Sequence, residues 1–226
     1  MKLLTIIPTQ IELDYFLHAC SELGLKSDSM EVGKLTINYF PTIDVAVAPG
    51  GLGKTQFAVQ TQYLIDTGNW ELIICAGAAG ALVDDLAVGD VVIATESVEH
   101  DIRNRFGKPI MPRFPCDEFI LDQCRQFLKN DSAFHMHYGP IASGDEDVVD
   151  NTRRTAIQTK TKALVVAWEG AGGARASQYS KIPFLEIRGV TDRAGSNAAS
   201  DYQTNLETVM KNVALVISKI AYCCTN

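Results

Sequence analysis

The chain has 226 residues, 46% of them hydrophobic, with 20 Lys and Arg against 27 Asp and Glu and a formal net charge of −7. A chain of this size buries one substantial core, so residues 1–226 read as a single domain. The acidic balance repels nucleic acid and anionic membranes, and no apolar stretch reaches the roughly 18 residues of a membrane span, which leaves a cytoplasmic protein acting on a small molecule as the expectation.

From the N-terminus, residues 2–8 (KLLTIIP) form an apolar run with one lysine, no small-residue cleavage site after it and Pro8 at its end, so they read as a first strand and not a secretion signal. Runs rich in Val and Ile at 43–49, 72–76, 90–95, 163–167 and 183–188 mostly lack strict alternation, as strands covered on both faces do. Helical patterns lie between several of them, at 12–22, 55–66, 117–128 and 170–180. A last helix over 202–221 places Leu206, Val209, Val213, Val216 and Ile220 along one face. Strands alternating with helices predict an α/β fold around a mostly parallel or mixed sheet. Segment 97–115, with three prolines and three arginines, breaks that order and is too long for a plain connection, so a functional loop or an interface is expected there.

The six cysteines are irregularly spaced, with no CxxC and no histidine at zinc-ligand spacing, and are expected to be buried or idle thiols. His135 and His137 form an HMH pair that would need further ligands from elsewhere; a solvated strand face is the simpler reading. The stretch PGGLGKT (49–55) sits where a phosphate loop would, between strand and helix, but Ala48 occupies a position where that motif requires glycine. A tight turn whose amides touch a ligand is the remaining functional reading. A second glycine-rich stretch, CAGAAGAL (75–82), reads as another turn at a strand end. Two such turns at one sheet edge suit an uncharged polar ligand such as a nucleoside.

Glu169, in WEGAGGA, and Asp192, in IRGVTDRAG, each follow a buried strand run, and ligands of α/β sheets gather at such strand ends. Taken singly, Glu169 could cap a helix and Asp192 start a turn. Glu12 stands in a first helical turn, where the helix dipole favours a carboxylate whatever its role.

The segments IIPTQIE, GGLGK, AGAAGAL with VGDVVIA and HD after it, SGDEDV, WEGAGGA and RGVTDRA occur in the order and at about the spacing of the methylthioadenosine and S-adenosylhomocysteine nucleosidases. Over about residues 2–220 the chain resembles the purine nucleoside phosphorylase and nucleosidase superfamily. The resemblance implies a three-layer α/β/α sandwich around a central mixed sheet, a homodimer, and cleavage of a purine nucleoside's N-glycosidic bond by water, without metal or other cofactor. It implies Glu12 as the residue that activates the water, Asp192 as the acid that protonates purine N7, and Glu169 as the ligand of the ribose hydroxyls. Arg188 would lie near the attacking water and Tyr202 beside the 5′ substituent. Gly51, Leu52, Gly77, Ala78, Val148, Thr191 and Ala194 would complete the substrate-binding set, with Trp168.

The chemistry follows from these residue types. A sugar that gains oxocarbenium character is stabilised by carboxylates, and a purine leaves readily only once protonated, so one acid must start protonated and another ionised. Departures from the family pattern fall at three positions. Ala78 replaces a hydroxyl, which argues against a bound phosphate. Trp168 stands where methionine is usual, either stacking on the ligand or filling core. Asp147 takes the place of an aromatic that stacks on the base, leaving Phe106, Phe114 or Trp168 for that role, or a base other than adenine. The alternatives are a futalosine hydrolase or a phosphorylase of the same superfamily and, from another class, a nucleoside-binding protein with weak catalysis.

Overall fold

The structure, a computed structural model, describes residues 1–108 and 110–225. In chain order it comprises β1 (Leu3–Ile7), α1 (Gln10–Glu22), β2 (Asp28–Val32), β3 (Leu35–Phe40), β4 (Val45–Pro49), α2 (Gly53–Asp66), β5 (Leu72–Ala81), β6 (Val91–Glu99), β7 (Arg113–Pro115), α3 (Glu118–Phe127), β8 (Met136–Ser143), α4 (Asn151–Thr161), β9 (Val165–Ala167), α5 (Gly170–Ser180), β10 (Phe184–Asp192) and α6 (Ala198–Thr225).

The strands form one mixed sheet in the order β10-β6-β8-β9-β5-β1-β4-β3-β2, with β7 paired to β6 off this path. β5 runs parallel to β1 and β10, whereas β6 is antiparallel to β10 and β9 to β5. The further pairing of β5 with β10 closes β5, β9, β8, β6 and β10 into a ring. The core strands are buried along their length, as the unalternated runs predict: every residue of β1 and β10 is buried, the charged Glu186, Arg188 and Asp192 of β10 included.

β10 shows how the layers meet. A side chain at Gly189 would strike Val209 of α6, and one at Gly170, the first residue of α5, would strike the carboxylate of Glu186. Residues 186 and 189 point to opposite faces of the strand, so α5 covers one face of β10 and α6 the other. α1 packs on α6 and α2 on α5, which gives the three-layer α/β/α arrangement. The apolar stripe expected on the last helix is buried, from Leu206 to Ile220.

Three expectations are corrected. The stretch CAGAAGAL does not turn: β5 continues through it to Ala81, paired with β10 as far as Gly80. Its glycines serve close approach by neighbouring side chains and not a reversal of the chain. Segment 97–115 is irregular only in part, because β6 runs on to Glu99 and β7 pairs back onto it. β2, β3, β8 and α4 have no counterpart among the predicted elements: β2 is almost wholly exposed and β8 contains Gly139 and Pro140, both poor strand signals.

Candidate active site

The carboxyl end of β5 is forked. β10 lies along one edge of β5 from Ile73 to Gly80, while on the other edge β1 pairs only with Leu72–Cys75 and β9 only with Gly80 and Ala81. The backbone of residues 76–79 therefore has no strand partner on that second edge. Glu12 fills the gap: its Oε1 accepts the Ala78 amide at 2.8 Å, while the Ala78 carbonyl accepts Arg188 Nη1 at 3.4 Å.

Glu12 reaches this point because α1 starts with a capping box. Thr9 Oγ1 accepts the Glu12 amide at 3.3 Å and Glu12 Oε2 accepts the Thr9 amide at 3.1 Å. The carboxylate that could have been only a helix cap is thus also buried and shared with β5. Gly77 is the empty volume that permits this, since a Cβ there would stand 2.8 Å from Arg188 Nη1 and 2.9 Å from Glu12 Oε1.

Glu169 occupies the N-cap position of α5 but makes no side-chain cap bond. Its carboxylate turns away, accepting the Gly53 amide and Arg188 Nη2, each at 3.2 Å. Burial pushes its carboxyl above the usual range; Arg188 pulls it back and Glu12 adds to the rise. Arg188, 1% exposed, also donates from Nε to Glu186 at 2.9 Å and from Nη2 to Cys75 Sγ at 3.2 Å. Burial opposes its charge, but the carboxylates of Glu186, Glu169 and Glu12 outweigh that and hold its proton firmly.

Asp192 is the last residue of β10, beyond a register shift between Val190 and Asp192. Its Oδ1 accepts the Ala194 amide at 2.7 Å and its Oδ2 the Thr191 hydroxyl at 2.8 Å. Burial raises its carboxyl, and those two bonds offset only part of the rise. An acid in that state keeps a proton to higher pH than an ordinary aspartate, as a general acid must.

These groups line one cavity of about 510 Å³, a size suited to a small organic ligand. Of the sequence-predicted site residues, Glu12, Leu52, Ala78, Val148, Trp168, Glu169, Arg188, Thr191, Asp192, Ala194 and Tyr202 line it. Gly51 and Gly77 do not: Gly51 lies in the turn before α2 with φ +80°, and Gly77 lies behind Arg188 and Glu12. Trp168 and Tyr202 are the aromatic residues of the lining, whereas Phe106 is fully exposed and Phe114 is buried beneath the Arg175 guanidinium, 5.0 Å from its ring centre; neither lines the cavity. Burial pushes the Tyr202 phenol up to about 12.

Sequence reasoning missed Thr9, although the T-x-x-E spacing of a capping box was present, and missed Ala199 and Gln203, in the first two turns of α6. The amides that would cradle a phosphate at the start of α2 are taken by carboxylates: Gly53 donates to Glu169, and Lys54 to Asp145 Oδ1 at 2.8 Å. The Lys54 ammonium is held by Glu99, at 2.9 Å, and by Asp101. His137 Nε2 pairs with Asp90 at 2.9 Å, and among the described residues no group of three or more His, Cys, Asp or Glu is placed to hold a metal ion.

The family model for the phosphorylase superfamily matches residues 12–222. The chain is 32% identical over 187 residues, 79% of its own length and 81% of the relative's, to a 5′-methylthioadenosine/S-adenosylhomocysteine nucleosidase from Geobacillus sp. (strain WCH70). Among solved structures it is similar to the nucleosidase of the same name from S. pneumoniae bound to a transition-state inhibitor, with 26% identity, a TM-score of 0.84 and coverage of 99% and 100% of the two chains. The futalosine hydrolase of Helicobacter pylori shares the fold, at 22% identity, a TM-score of 0.85 and 97% coverage of each chain.

Proposed function

The chain belongs to the phosphorylase superfamily and, within it, to the 5′-methylthioadenosine/S-adenosylhomocysteine nucleosidases; we propose that it hydrolyses the N-glycosidic bond of these two nucleosides, releasing adenine, with Glu12, Glu169, Arg188 and Asp192 as its working residues. The observation that carries this reading is the charge of the cavity. Five carboxyl groups, from Glu12, Glu146, Asp147, Glu169 and Asp192, and one cation, Arg188, line it, with Glu146 paired to Arg153 just outside the lining. Such a lining stabilises a sugar that becomes positive and repels a phosphate dianion, which favours water over phosphate as the nucleophile.

In this mechanism Asp192 donates its proton to purine N7 as the C–N bond breaks, so the bond's electron pair leaves with a neutral base. Its raised carboxyl range supports that role. A water held at Glu12 loses a proton to the carboxylate as its oxygen bonds to the anomeric carbon. The Ala78 amide and the Thr9 cap fix the orientation of that carboxylate in advance. Glu169 takes the ribose hydroxyls and Arg188 holds Glu169 in place. Trp168 and Tyr202 supply the aromatic surface, the first for the base and the second beside the 5′ group. Gly77 acts by leaving room, and Gly51 by the positive φ of the turn before α2.

A homodimer is part of the proposal. Leu52, Val59 and Tyr63 form an exposed apolar stripe that starts at the cavity and follows α2, which supports a partner there. Cys20, Cys75 and Cys116, buried thiols outside any disulfide, suit the reducing cytoplasm. One measurement tests the reaction: adenine release from 5′-methylthioadenosine and S-adenosylhomocysteine in phosphate-free buffer. Turnover that required phosphate, or that occurred with futalosine and not with these nucleosides, would overturn the assignment.

A further inference from the structure

Glu186 is wholly buried within β10, two residues before Arg188 and on the same face of the strand, yet it does not line the cavity. Its Oε1 accepts Arg188 Nε at 2.9 Å and its Oε2 accepts the hydroxyl of Ser97 on β6. The start of α5 makes room for it, because any side chain at Gly170 would overlap its carboxylate. Arg188 is thus held from two sides, by Glu186 behind and by Glu169 in front.

We propose that Glu186 is a positioning residue for the glycosidic reaction: it fixes the Arg188 guanidinium through Nε and cancels its charge, so that the sugar end of the cavity keeps a net negative field. A guanidinium close to a developing oxocarbenium ion opposes it electrostatically. Paired with Glu186, Arg188 orients Glu169 and the Ala78 carbonyl without that penalty, and the charges of Glu12 and Glu169 remain for the sugar. The other ionisable groups around the pair are Glu12 on α1, Cys75 on β5 and Cys116 ahead of α3; burial keeps the two thiols in their neutral forms. The inference rests on the hydrolase reading for its kinetic consequence but not for its geometry.

The test is Glu186→Gln, which keeps the shape and removes the charge. With 5′-methylthioadenosine, kcat is expected to fall about 10- to 100-fold while KM stays within about threefold. The acid limb of the kcat/KM profile should move to lower pH, because the uncancelled charge of Arg188 favours ionised Glu169. A residue that merely supported the fold would lower the melting temperature and leave that limb in place; a wild-type kcat or an unshifted limb overturns the proposal. Should Glu186→Gln not fold, Ser97→Ala, which frees one carboxylate oxygen, is expected to lower kcat about threefold to tenfold with KM unchanged, and unchanged kcat counts against it. Independently of turnover, the Arg188 Nε–H should exchange slowly with solvent by NMR in the wild type and faster in Glu186→Gln. If the wild type released no adenine, the hydrolase reading would fall alone, and fast Nε–H exchange in the wild type would remove the positioning claim by itself.

Discussion

The amide of Ala78, in the middle of β5, donates to Glu12 Oε1 at 2.8 Å across 66 residues of sequence. One carboxylate oxygen is thereby committed to the sheet and the other to the α1 cap. Glu12→Gln should disturb the second of these roles little and remove the first residue of the water step. The expected result is a 10²- to 10⁴-fold loss of kcat with KM within about threefold, measured by adenine release. Gln keeps an acceptor for the Thr9 amide, so a denaturant melt should stay close to that of the wild type.

Asp192→Asn should abolish proton donation to the base, again with a loss of about 10²- to 10⁴-fold. Stability should move the other way. The folded carboxyl of Asp192 is raised by burial, so its favourable contribution is full below the usual aspartate range and is lost as pH rises through the folded value. Thermal melts should therefore show Asp192→Asn gaining on the wild type between pH 4 and pH 7. A gap that shrinks over that interval would contradict a raised carboxyl.

Gly77→Ala tests the empty volume behind the site. A methyl group would press on Arg188 Nη1 and Glu12 Oε1 at 2.8 and 2.9 Å, inside normal contact distance. Activity should drop at least about 100-fold, the scale expected for a misplacement near 1 Å. Far-ultraviolet circular dichroism should be unchanged, since β5 pairs with β10 through this residue by its backbone.

Trp168→Ala should raise the KM for 5′-methylthioadenosine about tenfold or more if the indole stacks on the base, in line with the roughly 1–3 kcal/mol of a base–aromatic stack. An unchanged KM with a lowered melting temperature would instead mark Trp168 as core filling. The exposed Asp147 stands at the cavity's edge, where it offers no such surface.

Replacing Val59 and Tyr63 with Asp together should leave a monomer in sedimentation velocity at micromolar concentration. A protein that is already monomeric before substitution removes the dimer from the proposal.

Much of this arrangement was legible in the sequence, and the reasons differ by element. β1, β4 and β10 stood out because strands covered on both faces leave mostly apolar runs without alternation. β2 did not, since an exposed edge strand carries no burial pattern. The acids Glu12, Glu169 and Asp192 were found from motif order, but their environments were not, because each is set by residues 60 to 120 positions distant or by the burial of a strand end. Gly77 was read as a turn for the same reason: sequence shows that a side chain is missing, not which neighbours occupy its place. Glu186 was visible as a charge inside the apolar run PFLEIRG, yet only the fold pairs it with Arg188 and Ser97.

The interrupted ladder on β5 has one more consequence. In a complete sheet the Ala78 proton would point at a carbonyl, whose electron density does not change with pH. Here it points at an ionisable oxygen, so its NMR chemical shift should follow the protonation of Glu12 through a titration, in the free enzyme and with an inhibitor bound. A backbone resonance from the core of the molecule would then read the state of the water-activating group without any label on the side chain.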